Sequence, residues 1–265
     1  MKLVIVKARI FWGYSIKQPA QTAAQDSTPL PPPTTVLGAL ASSYARYFKL
    51  PEIIKINDNI YSTAAKLLMD NIIKYCTSGL MEPAVKYSDI SRNIMLTYQR
   101  HKQKDYHFAV QAMGKVYSPS NKGGILLAYI VNKEYDLISK ISWGITTIGS
   151  KEGMVSVYDV ITTDIKKVEI RKNQIIKTPF ITPADIARCE KGCTEVSLCS
   201  LSPDSYLAES VCREEKYLIP VYPEIKDIYG GESMVLKVID NVEAIETRLE
   251  GDNKTYILVP GGIVD

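Results

Sequence analysis

The residues best suited to chemistry crowd into one stretch of the chain. Between Gln99 and Lys122, five cations (Arg100, Lys102, Lys104, Lys115 and Lys122) stand against a single acid, Asp105. A polyanion such as a nucleic-acid backbone is held by a local cation excess of this kind. Tyr98, Tyr106 and His107 add flat faces on which a base can stack. Charged loop tips are also common as plain solvated loops, so the placement of this stretch in the fold must decide between the two. Both histidines of the chain, His101 and His107, lie here. Three smaller sets are candidates for the same work. Gly149-Ser150-Lys151 offers backbone N–H groups and an ammonium to a phosphate, though such turns are frequent. Lys7, Arg9, Tyr14 and Lys17 sit on or just after the first strand. Arg46 lies off the apolar face of the first helix and is equally readable as an ordinary surface arginine.

A different chemistry is open to the thiols. Cys189, Cys193, Cys199 and Cys212 are separated by three, five and twelve residues. Tetrahedral zinc sites use pairs spaced by two to four residues, and only Cys189 and Cys193 qualify. Disulfides are a second reading, and free buried thiols in a β-rich lobe are the simplest. No P-loop, nucleophile elbow or HExxH helix is present.

The totals narrow the setting. At 265 residues and 46% hydrophobic composition, the chain can bury a real core as one large domain or two small ones. Its net charge of +3, from 32 basic and 29 acidic residues, excludes a globally cationic surface, so any polyanion site must be local. The opening MKLVIVKARIF is interrupted by Lys7 and Arg9 and is too short for a signal peptide, and no apolar run nears the roughly 20 residues of a membrane span. A soluble, cytoplasmic protein without a cofactor is expected. Five cysteines, an odd number, argue against a fully paired secreted framework.

These candidates need elements to hold them. Residues 3–10 alternate, with Val4, Val6, Ala8 and Ile10 on one face and Lys7 and Arg9 on the other, which predicts a half-buried strand. A polar connection over 13–33 ends in Pro31, Pro32 and Pro33, which hold the chain extended until a helix can start, with Thr34 or Thr35 as its cap. Val36, Leu37, Leu40, Ala41, Tyr44, Tyr47 and Phe48 recur at helical spacing, and Gly38 is expected to allow close approach to a sheet. A second helix is predicted over 62–75. Alternating runs at 90–98 and 106–113 predict a hairpin with the basic tip 99–105. GGILLAYIV, residues 123–131, is apolar on both faces and predicts a central strand. A helix over 133–142 and a strand over 154–161 follow. The order β-α-β-β-α-β is that of an α+β, ferredoxin-like (RRM-like) domain over residues 1–161. In that arrangement two helices cover one side of a four-stranded antiparallel sheet and the other side is left open, as in many RNA-binding modules. Residues 162–265 read as a smaller β-rich lobe.

Two stretches carry a family resemblance. "ARIFWGYSIKQPAQTAAQDSTPLPPPTTVLGALASSYARYF" joins a strand, an extended segment, a proline triplet and a small-residue helix; "WGITTIGSKEGMVSV", residues 143–157, places a helix end, a Gly-Ser turn and a strand. Together they resemble CRISPR-associated family five, the RAMP subunit of type I Cascade complexes, in its archaeal type I-A form. The resemblance covers the first domain, and the C-terminal hundred residues match only in length and strand content. It implies a subunit that caps the five-prime handle of crRNA, with a thumb-like hairpin at about 90–115 reaching over the RNA. It also implies partners: the Cascade backbone subunit, the large subunit and, through it, target DNA. One branch of the family, in type I-C systems, cleaves precursor crRNA without metal by a Tyr, a Lys and a His; Tyr44 or Tyr47 with Lys102 and His107 would be its counterpart here. No adjacent Lys-His pair in that order is present, and a non-catalytic binder is expected. A ferredoxin-like interaction protein with no RNA of its own is the third reading.

Replacing Arg100, Lys102 and Lys104 by Ala is expected to weaken crRNA retention and to flatten its salt dependence by about one unit of slope per lost phosphate contact. Titrating RNA release with salt checks this, and an unchanged slope would remove the tip from the interface.

Overall fold

The computed structural model describes residues 1–16, 26–96, 106–118, 124–149, 153–208, 211–222, 225, 227–249 and 254–263, with backbone alone along 88–96 and 106–113. Elements of the first part are β1 (Lys2–Ile10), α1 (Pro33–Phe48), β2 (Ile53–Ile56), β3 (Asn59–Ser62), α2 (Thr63–Met69), β4 (Ile73–Leu80), β5 (Ala84–Leu96), β6 (Tyr106–Tyr117), β7 (Gly124–Val131), α3 (Tyr135–Ser142) and β8 (Val155–Asp164). Those of the second are β9 (Lys166–Ile170), β10 (Ile175–Thr178), β11 (Thr182–Pro183), β12 (Ala187–Lys191), β13 (Cys193–Cys199), β14 (Glu214–Pro220), β15 (Ile228–Tyr229), β16 (Met234–Val238), β17 (Val242–Arg248) and β18 (Lys254–Leu258). No helix among the described residues is long and apolar enough to cross a membrane.

The first strand sits inside a four-stranded sheet of order β4-β7-β1-β8, every neighbouring pair antiparallel. Val4, Val6, Ala8 and Ile10 face the helices, in one cluster with Val36, Leu37 and Leu40 of α1 and Ile138 and Ile141 of α3. Helices do cover this face, but the fourth strand of the sheet is β4, which was not expected from the sequence, while the predicted hairpin strands β5 and β6 form a separate sheet with β15.

The other face is not open as expected. Leu3 and Ile5, with Tyr75 of β4 and Leu126, Ala128 and Ile130 of β7, are covered by Phe180, Ile245, Ile257 and Val259 from the second part of the chain. The reason lies in the residues themselves: GILLAYIV is buried at every position, and a strand apolar on both faces needs cover on both. These positions of the sheet are therefore covered and do not form a bare platform.

Other expectations shift locally. The helix expected over 62–75 ends at Met69, because Asn71 takes a left-handed turn at φ 55° and Ile73 begins β4. Ile72 and Ile73 suit a helical and an extended period equally; Asp70-Asn71 is the break, and Asn tolerates that turn better than most residues. The hairpin is longer than expected, pairing β5 with β6 from Val85↔Tyr117 to Leu96↔Tyr106. Its tip, 97–105, lies outside the described residues. The run 167–176 divides into β9 and β10.

The proline segment is fastened by side chains of the sheet. The Ser78 hydroxyl donates to the Pro31 carbonyl at 2.6 Å, the Cys76 thiol to Pro33 at 3.1 Å and the Tyr129 hydroxyl to Val36 at 2.9 Å. Pro32, not Thr34 or Thr35, occupies the cap position of α1, and Pro33 stands in the first turn, where its missing N–H costs nothing.

Gly38 is not the point of close approach. A Cβ built there meets nothing within 4 Å, so the glycine faces a surface groove while Leu37, Leu40 and Tyr44 make the contact. Gly38→Ala is therefore expected to raise stability by about 0.5–1 kcal/mol, through helix propensity alone. Thermal or urea melting measures it; a loss of stability would mean that a neighbour closes on this face.

Candidate nucleic-acid interface

The site begins where β1 ends. Beyond Ile10 the chain runs Phe11-Trp12-Gly13-Tyr14, and Gly13 takes φ +126°. A Cβ at Gly13 would lie 2.1 Å from the Val116 carbonyl oxygen, so only glycine fits. That approach lets Tyr14 and Val116 exchange two backbone hydrogen bonds, each 2.9 Å, which tie the end of β1 to the root of β6. Tyr14 turns inward, 2% exposed, and its hydroxyl donates to the Pro29 carbonyl at 2.6 Å. Burial pushes its phenol far above the ordinary range. Trp12 turns outward and is 73% exposed.

A surface cavity of about 320 Å³ results, lined by Trp12, Gly13, Tyr14, Tyr87, Lys115, Val116 and Met154. Tyr87 and Met154 are exposed, as are the neighbouring Phe11 and Tyr117. Large aromatic faces left in solvent beside a lysine are what single-stranded nucleic acid uses: bases stack on the rings while cations hold the phosphates.

The root of the hairpin is clamped from a second side. Ser15 Oγ donates to the Gly114 carbonyl at 2.8 Å, Lys86 pairs with Asp26 at 2.5 Å, and the Ile16 N–H donates to Ser27 Oγ at 3.1 Å. Gly114 allows this, since a Cβ there would meet the Ser27 nitrogen at 2.2 Å. Gly149, at φ +74°, packs on Ile16, and the Phe11 N–H donates to the Met154 carbonyl at 3.2 Å. The Gly149 turn thus borders the same site, while Ser150 and Lys151 lie outside the described residues.

The expected site residues divide accordingly. Lys115 lines the cavity, and Arg9 is exposed near the end of β1. Three become structural. Lys7 reaches Asp159 at 3.2 Å and the Leu249 carbonyl at 3.2 Å. Tyr14 is buried. Arg46 donates to the Gly144 carbonyl at 2.5 Å and to Thr146 Oγ1 at 3.2 Å, joining α1 to the end of α3. Lys17, Tyr98, Arg100, Lys102 and Lys104 lie outside the described residues, and Tyr106 and His107 are placed only by backbone, on β6. Trp12 and Tyr87 were not foreseen. The available signal was two aromatics followed by a glycine at the point where the buried alternation of β1 stops.

The thiols are neither free nor a zinc site. Cys189 pairs with Cys193 and Cys199 with Cys212, leaving only Cys76, a buried thiol, unpaired. A single zinc would need all four sulfurs together, yet Cys193 and Cys199 stand at opposite ends of β13, about 20 Å apart at strand rise. No cluster of His, Cys, Asp or Glu among the described residues could hold a metal.

This fold belongs to a known class. A crystal structure of a CRISPR protein from Archaeoglobus fulgidus superposes on it with a TM-score of 0.59, covering 98% of this chain and 100% of that one at 19% identity. In sequence, CRISPR-associated protein Cas5 3 of Saccharolobus solfataricus is 34% identical over 169 residues, 62% of this chain and 66% of that protein. From the same organism, CRISPR system aCascade subunit Cas5 1 is 33% identical over 168 residues, 62% and 66% of the two chains. CRISPR-associated protein Cas5 2 is 30% identical over 192 residues, 70% and 69%. No family model matches the sequence. The chain spans about two thirds of the length of these curated relatives, and it belongs to the Cas5 family.

Gly13→Ala is expected to lower stability by about 1–3 kcal/mol, because the residue must either hold a disfavoured φ or release β6. Denaturant melting with Gly192→Ala as reference (positive φ, but no atom nearer than 3.6 Å to its Cβ position) isolates the contact; equal losses in both variants would mean that backbone strain alone is at work.

Proposed function

We propose that the chain is a non-catalytic crRNA-binding subunit of a type I Cascade complex, of the I-A form, which caps the five-prime handle. The single observation that carries this is the aromatic cavity of Trp12, Tyr87 and Lys115 at the root of a hairpin whose tip sequence is basic. The sheet order β4-β7-β1-β8 with α1 and α3 on one face fits the ferredoxin-like reading, with the hairpin as its thumb. The RNA path then runs along the hairpin and the end of β1, away from the covered sheet face. The relative named as an aCascade subunit supports membership of such a complex. The backbone and large subunits are the proposed protein partners, with target DNA reached through them in antiviral defence.

Catalysis finds little support in the placement of Tyr44. It is 6% exposed and packed on Phe48, with its phenol pushed up by burial first and by Glu134 second, so it stays protonated and its base form is scarcely populated. The rival processing enzyme would cut precursor repeat RNA at one site in EDTA and lose that activity in His107→Ala.

The deciding experiment is co-expression with the neighbouring Cascade subunits, followed by measurement of the short RNA that co-purifies. Trp12→Ala is expected to leave the fold intact and to weaken RNA retention about tenfold, the scale of one lost base stack. Unchanged retention removes RNA from this cavity. Absence of RNA from the wild-type complex favours the pure interaction module.

A further inference from the structure

The hairpin β13–β14 carries, between its strands, a loop that reaches across to the first part of the chain. Cys199 closes β13 and pairs with Glu214, the first residue of β14. The Cys199–Cys212 bond therefore sits at the neck of this loop and makes it a covalent ring. Within the ring, Pro203–Tyr206 form a 3-10 turn, and Ser205 Oγ donates to the Ser200 carbonyl at 2.7 Å.

What the ring holds matters more than its shape. The Tyr206 hydroxyl donates to the Thr34 carbonyl, in the first turn of α1, at 2.8 Å. The Ala208 N–H donates to the Ile60 carbonyl at 2.9 Å, and Leu207 bridges to Tyr61 of β3. Leu201 packs on both clusters of the central sheet. The ring thus grips the start of α1 and the edge of β3. Upstream of α1, the proline segment leads back to Asp26 and Ser27, which clamp the root of the β5–β6 hairpin through Lys86 and Gly114. The disulfide itself is reachable: Cys199 and Cys212 are half-buried, and the adjoining Val211 is 81% exposed.

We propose that the Cys199–Cys212 disulfide is a redox latch, which when oxidised holds the 200–208 loop against Thr34 and Ile60 and when reduced lets it go. The reductant is a dithiol. Its thiolate attacks one cystine sulfur, forming a mixed disulfide and expelling the other cysteine as a thiolate that takes up a proton. The second thiol of the reductant then closes its own disulfide and frees the remaining cysteine. Two electrons and two protons pass to the protein, and the reductant leaves as a cyclic disulfide. Opening the ring returns loop entropy to the released state; where the last pairs of the β13–β14 ladder fray with it, a separation of 13 residues sets an upper limit of about a hundredfold on the rise in populated opening. Cys189–Cys193 is an internal control, since it spans only the turn at Gly192 between β12 and β13.

The test is amide hydrogen exchange on the full chain, with and without dithiothreitol, the free thiols being counted in each sample. Exchange at Thr35, Val36 and Ala208 is expected to accelerate on reduction, up to about a hundredfold at Ala208. Cys199→Ser/Cys212→Ser is expected to show the fast exchange without reductant and no further response. Cys189→Ser/Cys193→Ser is expected to respond as the wild type does. Unchanged exchange at these amides in fully reduced wild-type protein overturns the latch, and so does a reductant response that persists in Cys199→Ser/Cys212→Ser. The wild-type comparison stands even where a serine variant does not fold.

Discussion

Two backbone hydrogen bonds between Tyr14 and Val116 fix where everything else can go. They exist because Gly13 has no side chain to strike the Val116 carbonyl. They join the end of the first strand to the root of the long hairpin, with Tyr14 under the surface and Trp12 turned out. The cavity that follows is less a pocket formed by folding around a ligand than a by-product of two backbones meeting. This gives the site the rigidity that stacking needs, since an aromatic face held in place loses little freedom when a base lands on it.

The covering of both sheet faces has the opposite effect. In many RNA-binding modules a four-stranded sheet with two helices on one side leaves its other side for RNA. Here Phe180, Ile245, Ile257 and Val259 fill that side, and Lys7, a surface cation by its alternation in the sequence, ends against Asp159 and the Leu249 carbonyl. On the proposed reading, recognition is displaced to the rim, where β1 leaves the sheet and the hairpin begins. The second part of the chain thereby does more than add stability: it decides which surface remains.

How much of this was legible depended on whether the signal was local. The alternation of Val4, Val6, Ala8 and Ile10 is local, and it placed β1 correctly against the helices. The run GILLAYIV announced a strand buried on both sides, but its covering partners lie far along the chain and have no period that points to them. Ile72 and Ile73 satisfied two periods at once, so only the left-handed turn at Asn71 separated a helix from a strand. The cysteine pairing was beyond reach for a similar reason. Spacing marked Cys189 and Cys193 only as a zinc-type pair and named no disulfide partners; Cys199 meets Cys212 through the register of β13 on β14, and register is a long-range property. Trp12 stayed invisible because an aromatic after a strand reads as core until its neighbours are known.

The hairpin pairs from Val85↔Tyr117 to Leu96↔Tyr106 and is bonded to the rest of the molecule at its root, including the short ladder to β15. A ladder of that length at about 3.4 Å per residue is an arm of roughly 40 Å, and it behaves as a ruler. Lengthening or shortening each strand by two residues moves the tip by about 7 Å and keeps every side chain on its own face. A change of one residue on a single strand slips the register and exchanges the faces, presenting to the ligand whatever had pointed away. Reach and facing are therefore inherited separately along this arm: its length can drift in even steps while the chemistry at its root stays unchanged.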